Sequence, residues 1–552
     1  MSFRVGFDVG GTFTDFALQA DDGRLLTGKR LTTPDDPARA SVDGLRELVA
    51  RAGLAWPDLA QAVHGTTLGS NVVIERKGRN VALLTTKGFR DVLIIGREKR
   101  YQLYDLFIEK PAPLVPRSRI REVTERMAFD GQVLAPLDEV ELRGTLRGLA
   151  KDGITALAVC LLHAYANPAH ERRVAEIARE EAPGMAVSLS ADVSPVMREY
   201  ERTSTTVVNA YVMTAVRDYL ERLERVLADL GYRGRLFVMQ SGGGIATAET
   251  MARFPVRMIE SGPAAGALMA AAYGKLTGHR DLVAFDMGGT TAKLSLVADG
   301  RPQTIREFEL HRIRLQPGSG IPMTIQAIDL VELGAGGGSI ARAETGVIRV
   351  GPDSAGAAPG PICYGLGGTA PTVTDANLVL GYLNPDYFLG GRMRLDLAGA
   401  RAGIEQGIGR PFCLSVAEAA WGIHQIVTTN MELATRVVSI ERGYDPRQLA
   451  LAAFGGSGPV HGCRLAQALG IPRAILPAAA GVTSAIGLLA AEVKFDLSRS
   501  YVCRLAALDP GRLVGMLQEM AAAGKAVVRE AGVDVSEALT LVRTADMRYV
   551  GQ

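Results

Sequence analysis

The chain has 552 residues, which exceeds the size of a single hydrophobic core and predicts two or three domains. Its 61 lysines and arginines against 59 aspartates and glutamates leave a net charge of +2, so the basic excess typical of nucleic-acid-binding proteins is absent. The five cysteines are scattered and form no CxxC pair, which argues against a disulfide framework or a zinc knuckle.

The sequence shows neither a secretory signal nor a membrane span. The chain enters an apolar strand at residue 3 with no basic region before it. Its longest apolar run, ITALAVCLL at 154–162, is about half the length that a membrane span needs, and we interpret it as a buried strand. We therefore expect a cytoplasmic protein that binds neither membrane nor nucleic acid.

The first predicted element is a β-hairpin at 3–18, FRVGFDVGGTFTDFAL, with two glycines at its tip. Gly10 and Gly11 can bring their N–H groups near an anion, and the Thr12 hydroxyl adds a donor for a phosphate oxygen. Asp8, at the end of the first strand, can hold Mg²⁺ directly or through water. A single hairpin of this kind could equally be an ordinary turn, because glycine turns between strands are common.

The same hairpin recurs at 282–297, LVAFDMGGTTAKLSLV, where Asp286 and Thr290 align with Asp8 and Thr12. Two copies in one chain are hard to explain as ordinary turns. They predict duplicated domains that face each other across a cleft, each supplying one phosphate-binding hairpin to a single nucleotide.

The two copies carry opposite charges at one position. Asp15 in the first hairpin has Lys293 as its counterpart in the second. We therefore expect the two residues to play different roles, with Asp15 positioning a metal or a water and Lys293 neutralising phosphate charge.

A third glycine-rich turn, in LALAAFGGSGPVHGCRLA at 449–466, follows a predicted strand and precedes a predicted helix, where close backbone approach leaves room for adenine and ribose. The P-loop pattern GxxxxGK[ST] is absent, and ELGAGGGSIA at 332–341 has Ser339 where a dinucleotide fingerprint needs its third glycine. P-loop and Rossmann sites are therefore disfavoured. The order of the motifs resembles the actin, hexokinase and Hsp70 superfamily, whose two hairpins clamp the phosphates of ATP.

Longer motifs extend along the whole chain. They are RVGFDVGGTFTDF at 4–16, HGTTLGSNVVIERKG at 64–78, GFRDVLIIGREKR at 88–100, ESGPAAG at 260–266, FDMGGTTAK at 285–293, ELGAGGGSIA at 332–341, PGPICYGLGGTAPTVTDANLVLG at 359–381 and ERGYDPRQLALAAFGGSGP at 441–459. With them the sequence resembles the hydantoinase A/5-oxoprolinase family, which includes subunits of ATP-dependent acetone and acetophenone carboxylases. This resemblance implies an α/β fold of duplicated, ribonuclease H-like domains around an ATP cleft.

The resemblance also implies a reaction in which ATP, with Mg²⁺ or Mn²⁺, phosphorylates a carbonyl oxygen and so creates an electrophile. In the hydrolytic members the substrate is a hydantoin, 5-oxoproline or another lactam, and a hydantoinase B-like partner subunit completes the hydrolysis in a homo- or hetero-oligomer. The alternatives are the corresponding subunit of a ketone carboxylase and a non-catalytic, ATP-gated module of reactivase type. Glu332 favours the carboxylase, since oxoprolinase-type members tend toward a polar His/Asn-Thr pair at this place.

Other residues acquire a site role mainly through this resemblance. His64, Thr66, Thr67 and Asn71 would bind a polar carbonyl compound or the transferring phosphate, whereas an isolated HGTT is more often an N-capping turn.

The resemblance implies that Arg97 or Arg100, in the segment GREKR, binds a carboxylate or a phosphate. Without the resemblance, this segment would be interpreted as an exposed run of charged residues. Asp375 could act in catalysis or cap the apolar helix that follows it.

The predicted site comprises three groups of residues. The catalytic candidates are Asp8, Asp15, His64, Asp286 and Lys293, of which Asp8, Asp15 and Asp286 are also the metal-binding candidates. The nucleotide-binding candidates are Gly10, Gly11, Thr12, Thr14, Gly288, Gly289, Thr290, Thr291, Gly455, Gly456, Ser457 and Gly458. The substrate-binding candidates are Thr66, Thr67, Asn71, Arg97, Arg100, Glu332 and Asp375.

We expect a first domain at 1–195, a second, ATP-binding domain at 196–500 and a partial C-terminal region at 501–552. The stretch 194–231 predicts a turn followed by a long amphipathic connector helix. Clustered glycines and prolines at 316–371 predict irregular, cleft-lining loops. A strand predicted at 540–550 ends the chain where relatives usually continue, so we expect a truncated or a naturally short member.

Overall fold

The computed structural model describes residues 2–33, 37–98, 100–313, 316–534 and 539–550. Within these residues the strands are β1 (Phe3–Val9), β2 (Phe13–Ala20), β3 (Leu25–Leu31), β4 (Leu59–Thr66), β5 (Val81–Thr86), β6 (Ile120–Val123), β7 (Arg126–Met127), β8 (Val133–Ala135), β9 (Ala156–Cys160), β10 (Ala186–Leu189), β11 (Arg235–Met239), β12 (Ile245–Thr247), β13 (Leu282–Met287), β14 (Ala292–Ala298), β15 (Arg301–Pro302), β16 (Thr304–Leu310), β17 (Ile321–Ile328), β18 (Leu330–Leu333), β19 (Ser339–Glu344), β20 (Val347–Ser354), β21 (Ala450–Phe454) and β22 (Arg473–Ile475).

The α-helices of the same residues are α1 (Pro37–Arg51), α2 (Leu68–Ile74), α3 (Val92–Ile95), α4 (Glu139–Lys151), α5 (Ala169–Glu181), α6 (Ser190–Val193), α7 (Glu199–Asp229), α8 (Ala248–Arg253), α9 (Ser261–Thr277), α10 (Val373–Val379), α11 (Leu397–Ile404), α12 (Arg410–Phe412), α13 (Val416–Val438), α14 (Gly458–Leu469), α15 (Thr483–Leu489) and α16 (Pro510–Glu530). Every helix in the described part of the chain is too short or too polar to span a lipid bilayer.

The first hairpin lies at the centre of a mixed sheet with the strand order β12-β11-β4-β1-β2-β3. Strand β1 pairs antiparallel with β2 and parallel with β4, and β11 adds parallel to β4. The register places Asp8 opposite Asp15. Phe7 and Phe16 lie in the same core as Leu45 of α1, so apolar residues of the hairpin anchor its tip to the sheet.

A second sheet of the first half is all-parallel, with the order β10-β9-β5-β6. Strand β9 is buried along its whole length, which confirms the buried strand predicted within 154–162. Such strands are uniformly apolar because both faces of a parallel sheet are covered.

The long helix predicted after residue 194 is α7, which packs inside the first half instead of linking two separate bodies. Its residues Val216, Leu220 and Leu223 share one core with Phe7 of β1. The helix provides the crossover that a parallel strand needs before it can join the sheet. Strands β11 and β12 therefore complete the first sheet although they follow the boundary expected at residue 195.

The second half repeats the same plan. Strands β13 and β14 form an antiparallel hairpin, β21 adds parallel to β13, and the sheet order is β15-β14-β13-β21-β22 with β18 on β14. The register places Asp286 opposite Lys293, the position that Asp15 holds in the first hairpin. The predicted fold class, a duplicated α/β architecture of the actin and hexokinase type, is confirmed.

Helices α9 and α15 pack against each other and against the first sheet. Ala264 and Ala265 of α9 lie in one core with Ala485 and Leu488 of α15 and with Val63 of β4. Small side chains on both helices let them approach each other closely. This crossing brings the start of each helix to the region where the hairpin tips lie.

Two expectations about local structure need correction. The segment 316–371 contains the strands β17, β18, β19 and β20, of which β19 and β20 form a hairpin, while the glycine run at 334–338 and most of 355–371 are irregular as predicted. Residues 539–550 form no strand, and Val542, Met547 and Tyr549 are exposed. No neighbouring strand among the described residues pairs with this stretch.

Candidate active site

The tips of the two hairpins meet at a cavity of about 990 Å³. The Oγ1 atoms of Thr12 and Thr290 lie 3.0 Å apart across the junction. Of the predicted site residues, the following line the cavity: Asp8, Gly10, Gly11, Thr12, Asp15, Thr67, Asn71, Asp286, Gly288, Gly289, Thr290, Thr291, Lys293, Glu332, Gly455, Gly456 and Ser457. The structure thus brings together residues from five separate motifs.

Both tips close with the same turn. The N–H of Gly10 donates to the carbonyl of Phe13, and the N–H of Gly288 donates to the carbonyl of Thr291, each at 3.0 Å. These bonds leave the intervening glycine and threonine at the cavity surface. The repeated sequence therefore produces a repeated backbone conformation.

The second tip is supported by the glycine run at 334–338, which resembled a weak dinucleotide fingerprint. The N–H groups of Gly337 and Gly338 donate to the carbonyls of Gly288 and Gly289, at 3.0 and 2.6 Å. A Cβ on Gly336 would lie 2.6 Å from the carbonyl oxygen of Gly289. The run contains glycine because the tip passes directly against it.

Asp8 is a strongly perturbed carboxylate of the cavity. Its Oδ1 atom is buried and has no hydrogen-bond partner among the described residues. Burial, together with the nearby charges of Asp15 and Asp286, raises the pKa of Asp8 to about 7 against the opposing effects of Lys293 and Lys29. A carboxylate in this state favours a cation as its partner.

Asp286 holds the equivalent place in the second hairpin. Burial raises its pKa, Lys293 opposes that effect, and Asp15 adds to it. The hydroxyl of Ser484, in the first turn of α15, donates to Asp286 Oδ2 at 3.3 Å. Asp286 is therefore partly satisfied where Asp8 is not.

The motif ESGPAAG allows helix α9 to pass both carboxylates. A Cβ on Gly262 would lie 2.9 Å from each carboxylate oxygen of Asp8, and a Cβ on Gly266, one turn later, would lie 3.3 Å from Asp286 Oδ2. Sequence reasoning found this motif without giving it a role. The signal was its pair of glycines four residues apart, which face the same way on a helix.

Asp15 is paired with a residue that sequence reasoning missed. Lys29 of β3 lies opposite Asp15 in the sheet register and forms a partly buried ion pair with it. Its Nζ also donates to the carbonyl of Gly481 at 2.8 Å. Burial raises the pKa of Asp15, and Lys29 lowers it. Cross-strand pairing could have revealed Lys29 once the hairpin was extended to β3.

Lys293 lies between two carboxylates. Its Nζ is 3.7 Å from Glu260 Oε2 and 3.7 Å from Glu332 Oε1. Burial disfavours the charge of Lys293, but Glu332, Glu260 and Asp286 outweigh that effect and raise its pKa. Burial raises the pKa of Glu260, and Lys293 lowers it. Glu332 therefore contacts the predicted phosphate-neutralising lysine.

The structure does not bring His64 to the cavity. Its side chain is buried in β4, where Nδ1 lies 3.2 Å from the carbonyl of Phe7 and Nε2 lies 3.0 Å from the hydroxyl of Tyr219. Burial lowers the pKa of His64 to about 4, so the ring is neutral. The prediction of a catalytic histidine here is not supported, because α7 covers this face of the strand.

Three further candidates support the cavity from behind it. Thr14 is buried and shares a hydrogen bond with Thr32, whose hydroxyl donates to the Gly10 carbonyl at 2.8 Å. The carbonyl of Thr66 accepts from Ser261 at 2.7 Å. Gly458 begins α14 beside β13. These residues shape the tips and do not line the cavity.

The two arginine candidates lie elsewhere. Arg97 forms ion pairs with Glu201 and Glu307 at a second, smaller cavity of about 240 Å³. Arg100 donates to the carbonyl of Asp105 in an exposed loop. Neither lines the cavity between the hairpins, because the partners of Arg97 come from α7 and β16.

Asp375 acts as a cap. It completes a capping box with Thr372 at the start of α10 and accepts from the N–H of Cys363 at 2.8 Å. It is fully buried and does not line the cavity. Of the two roles left open by the sequence, the structural one matches the geometry.

Known proteins and family models match this chain over both of its halves. The family model described as hydantoinase/oxoprolinase matches residues 202–497, and the model of the hydantoinase/oxoprolinase N-terminal region matches residues 4–182. The caprolactamase subunit alpha of Pseudomonas jessenii is 36% identical over 559 residues, covering 100% of this chain and 79% of the relative. The acetophenone carboxylase gamma subunit of Aromatoleum aromaticum is 35% identical over 526 residues, covering 92% of this chain and 70% of the relative.

A solved structure shares the fold. The crystal structure of the ATP-dependent caprolactamase from Pseudomonas jessenii superimposes with a TM-score of 0.83 at 35% identity and covers 97% of this chain and 77% of that chain. Together with the matches over both halves, this likeness confirms the resemblance noted in the sequence. The chain belongs to the hydantoinase/oxoprolinase family.

Proposed function

We propose that this chain is the ATP-using subunit of an enzyme that phosphorylates the carbonyl oxygen of a cyclic amide so that the ring can be opened by hydrolysis. The observation that carries the proposal is the meeting of two identical glycine tips, 3.0 Å apart at Thr12 and Thr290, above a cluster of carboxylates and Lys293. Family membership and the likeness to an ATP-dependent caprolactamase support it.

The nucleotide would lie between the tips. Backbone N–H groups at Gly11 and Gly289 and the hydroxyls of Thr12 and Thr290 would donate to phosphate oxygens, and Lys293 would neutralise their charge. The turn at Gly455 and Gly456 would approach the ribose and the base. This arrangement agrees with the roles that the sequence predicts for all three glycine turns.

A divalent cation fits the acidic side of the cavity. The buried Oδ1 of Asp8 lacks a partner, and Asp286 lines the same cavity. Among the described residues, no cluster of three or more His, Cys, Asp or Glu side chains could hold a metal by itself, so water and phosphate oxygens would complete the shell, as Mg²⁺ prefers. When bound, Mg²⁺ supplies charge neutralisation for the phosphates. We assign Asp15 to positioning Lys29 instead of to direct ligation.

The chemistry suits an amide substrate. The amide carbonyl is stabilised by resonance, and its oxygen is a poor leaving group. Transfer of the γ-phosphoryl group forms a bond from the carbonyl oxygen to phosphorus and breaks the bond to ADP. Water then attacks the carbon and the C–N bond of the ring breaks, which leaves a free amine and an acyl phosphate. A second water hydrolyses the acyl phosphate to a carboxylate and inorganic phosphate. Positioning and charge neutralisation dominate the first transfer, and the residues of the cavity provide both.

A second subunit is part of the proposal. The two relatives named above are each subunits of larger enzymes by name. We expect a hydantoinase B-like chain to accept the phosphorylated intermediate and complete the hydrolysis.

A ketone carboxylase subunit is the second candidate. The specific observation that favours it is Glu332, which faces Lys293 at 3.7 Å and which the resemblance associates with carboxylase-like members. The identity to the acetophenone carboxylase subunit, 35%, is close to the 36% to the caprolactamase subunit. In this alternative the ketone would be phosphorylated as its enol, the enol α-carbon would form a bond to CO₂ from bicarbonate, and water would release the phosphate.

One experiment separates the two candidates. The chain is mixed with its partner subunit, and phosphate release from ATP is measured with hydantoins, 5-oxoproline, caprolactam, acetone or acetophenone, with and without bicarbonate. Lactam-stimulated release without bicarbonate supports the hydrolase. Bicarbonate-dependent release with ketones would overturn it in favour of the carboxylase.

A further inference from the structure

A short hairpin at residues 387–393, called the crossing hairpin below, projects from the second half of the chain onto the first. Its two arms meet in an antiparallel bridge between Phe388 and Met393. The N–H groups of Gly391 and Met393 both donate to the Phe388 carbonyl, at 3.1 and 3.2 Å. The residues of the hairpin that line the cavity are Tyr387, Phe388, Leu389, Gly390 and Arg392. The crossing hairpin therefore forms part of the cavity wall.

Arg392 bonds the crossing hairpin to the first half. Its Nη1 atom donates to Oε1 of Glu47 in α1, and its Nη2 atom donates to the main-chain carbonyl of Lys29 in β3, each at 2.8 Å. Its Nε atom donates to the Leu389 carbonyl at 3.0 Å, within the hairpin itself. The planar guanidinium has enough donors in fixed directions to hold all three partners at once. Glu47 and Lys29 also line the cavity, so this contact lies on its wall.

Phe13 makes an apolar contact across the same cleft. It joins a small apolar cluster whose other members, between residues 363 and 400, all belong to the second half. Its ring centroid lies 6.4 Å from that of Phe388, which lies 5.5 Å from that of Tyr364. The carbonyl of Phe13 accepts the N–H bond from Gly10 that closes the first tip. The apolar contact is therefore continuous with the tip that we assign to phosphate.

The turn of the crossing hairpin contains a strained residue. Leu389, Gly390 and Gly391 have φ angles of +53°, +71° and +85°. Glycine adopts such angles freely, whereas they are strained for a leucine. Strain of this kind persists where surrounding contacts hold the backbone, and it is found in segments that switch between two states. The contacts of Arg392 and Phe388 are the ones that hold this turn.

The ion pair lies at the rim of the cavity, where solvent reaches it. The side chains of Arg392 and Glu47 are 45% and 36% exposed, although both line the cavity. An ion pair with this exposure adds little to the stability of the fold, so it can break while both halves stay folded. Opening at this place would separate the crossing hairpin from α1 and widen the cavity mouth.

We infer that the crossing hairpin is a latch across the cleft, which must release Glu47 and Phe13 before a nucleotide can enter or leave the cavity. This inference rests on the proposed binding of ATP between the two tips. It adds a gate that sets the rates of nucleotide exchange, whereas the tips set the affinity. A latch that closes equally well over an empty and an occupied cavity slows entry and exit by the same factor.

The test measures the association and dissociation rate constants of mant-ADP, a fluorescent ADP analogue, with Mg²⁺ by stopped-flow fluorescence on the full chain. Arg392→Met and Glu47→Gln should each raise both rate constants about three- to fivefold, as expected for the loss of one exposed ion pair. The dissociation constant should stay within about twofold of that of the unchanged protein. Phe388→Ala, which removes the ring contact with Phe13, should raise both rate constants about tenfold.

The same segment supplies a matched control. Arg394 lies two residues after Arg392 but pairs with Asp386 of its own segment, at 2.9 Å, instead of with the first half. Arg394→Met should therefore leave both rate constants unchanged. Charge reversal is a second control. Glu47→Arg and Arg392→Glu should each speed up exchange, and the double variant should exchange nucleotide more slowly than either single variant, because the ion pair is restored with opposite polarity.

The outcomes separate the latch from the nucleotide site. If Arg392→Met raises only the dissociation rate constant, or lowers the association rate constant, Arg392 contacts the nucleotide itself and the latch is overturned. Equal effects of Arg392→Met and Arg394→Met would also overturn it, as would a double reversal that exchanges nucleotide as fast as the single ones. Thermal unfolding verifies that each variant folds. If the unchanged protein binds neither mant-ADP nor mant-ATP, the proposed function itself fails.

Discussion

The two hairpins have the same turns but different charges around them. In the first, Asp8 faces Asp15, whose charge is balanced by Lys29 on the next strand. In the second, Asp286 faces Lys293, whose charge is balanced by Glu260 and Glu332. The shared turns suit phosphate on both sides, whereas the unpartnered oxygen of Asp8 makes the first side the place for a cation. The two copies therefore share the phosphate-binding turn but differ in the charged residues beside it.

The largest effect is expected from removing the two carboxylates. Asp8→Ala and Asp286→Ala should each reduce ATP turnover by at least about 100-fold, because both side chains lie where phosphate and cation charge must be balanced. The measurement is phosphate release by the complete enzyme. Asp22→Ala, in the exposed turn between β2 and β3, is the control and should keep full activity. Retained turnover in either cavity variant would contradict the assignment of that hairpin.

The two lysines should differ in the size of their effect. Lys293→Met should reduce kcat about 100-fold and raise KM for ATP, since Lys293 lines the cavity and is the residue that we assign to neutralising phosphate charge. Lys29→Met should reduce kcat only about tenfold, because the charge of Lys29 is already balanced by its ion pair with Asp15. Steady-state kinetics at saturating Mg²⁺ provide both values. Equal effects, or a larger effect at Lys29, would reverse the division of roles proposed for the two hairpins.

A smaller loss is expected where helix α9 passes Asp8. The Cβ added by Gly262→Ala would lie 2.9 Å from both carboxylate oxygens and should displace Asp8, reducing turnover about tenfold. Gly144→Ala is the matched control, since Gly144 also lies within a helix but has open space around its Cβ position. That variant should be fully active and slightly more stable, by about 0.5–1 kcal/mol. Full activity of Gly262→Ala would show that α9 does not hold Asp8 in place.

The smallest effect is a pH dependence of stability in the nucleotide-free protein. Burial raises the pKa of Asp8 from an ordinary value of 3.8 to about 7, so the folded state binds more protons than the unfolded state between these values. The contribution of Asp8 to stability is therefore greatest below pH 4 and declines as the pH rises toward 7. Asp8→Asn removes this decline.

Scanning calorimetry at pH 5 and pH 7.5 measures this pH dependence of stability. Asp8→Asn should gain a few degrees in Tm relative to the unchanged protein at pH 7.5, and the gain should be smaller at pH 5 (on the order of 2–4 °C for 1 kcal/mol in a large domain). Mg²⁺ with ADP should abolish the gain, because a bound cation stabilises the charged form of Asp8. A gain that is independent of pH would contradict the cause given for the raised pKa.

The sequence predicts both hairpin tips, Lys293 and the glycine turn before α14, because each is a local pattern. The repetition of the hairpin strengthened the prediction that it binds phosphate. The placement of His64 was not predictable, since its partner Tyr219 lies more than one hundred residues away on α7. Arg97 was misplaced for the same reason, because Glu201 and Glu307 come from distant elements. The local sequence favoured a site role for His64 and Arg97, but tertiary packing places both side chains away from the cavity between the hairpins.

Residues that the sequence did not reveal were found through pairing and packing. Lys29 became visible only through the register between β2 and β3. The role of Gly262 required the path of α9 past Asp8. Sheet register and helix packing depend on contacts across the whole chain, so motif spacing alone cannot supply them.

A crystal structure with Mg²⁺ and a non-hydrolysable ATP analogue bears most directly on the proposed clamp. We expect the phosphates to contact the backbone of Gly11 in the first tip and of Gly289 in the second at the same time, with the cation on the Asp8 side and Lys293 on the other. Phosphates bound by only one tip, or a nucleotide outside the cavity between the hairpins, would contradict the proposal that two domains close on one ATP.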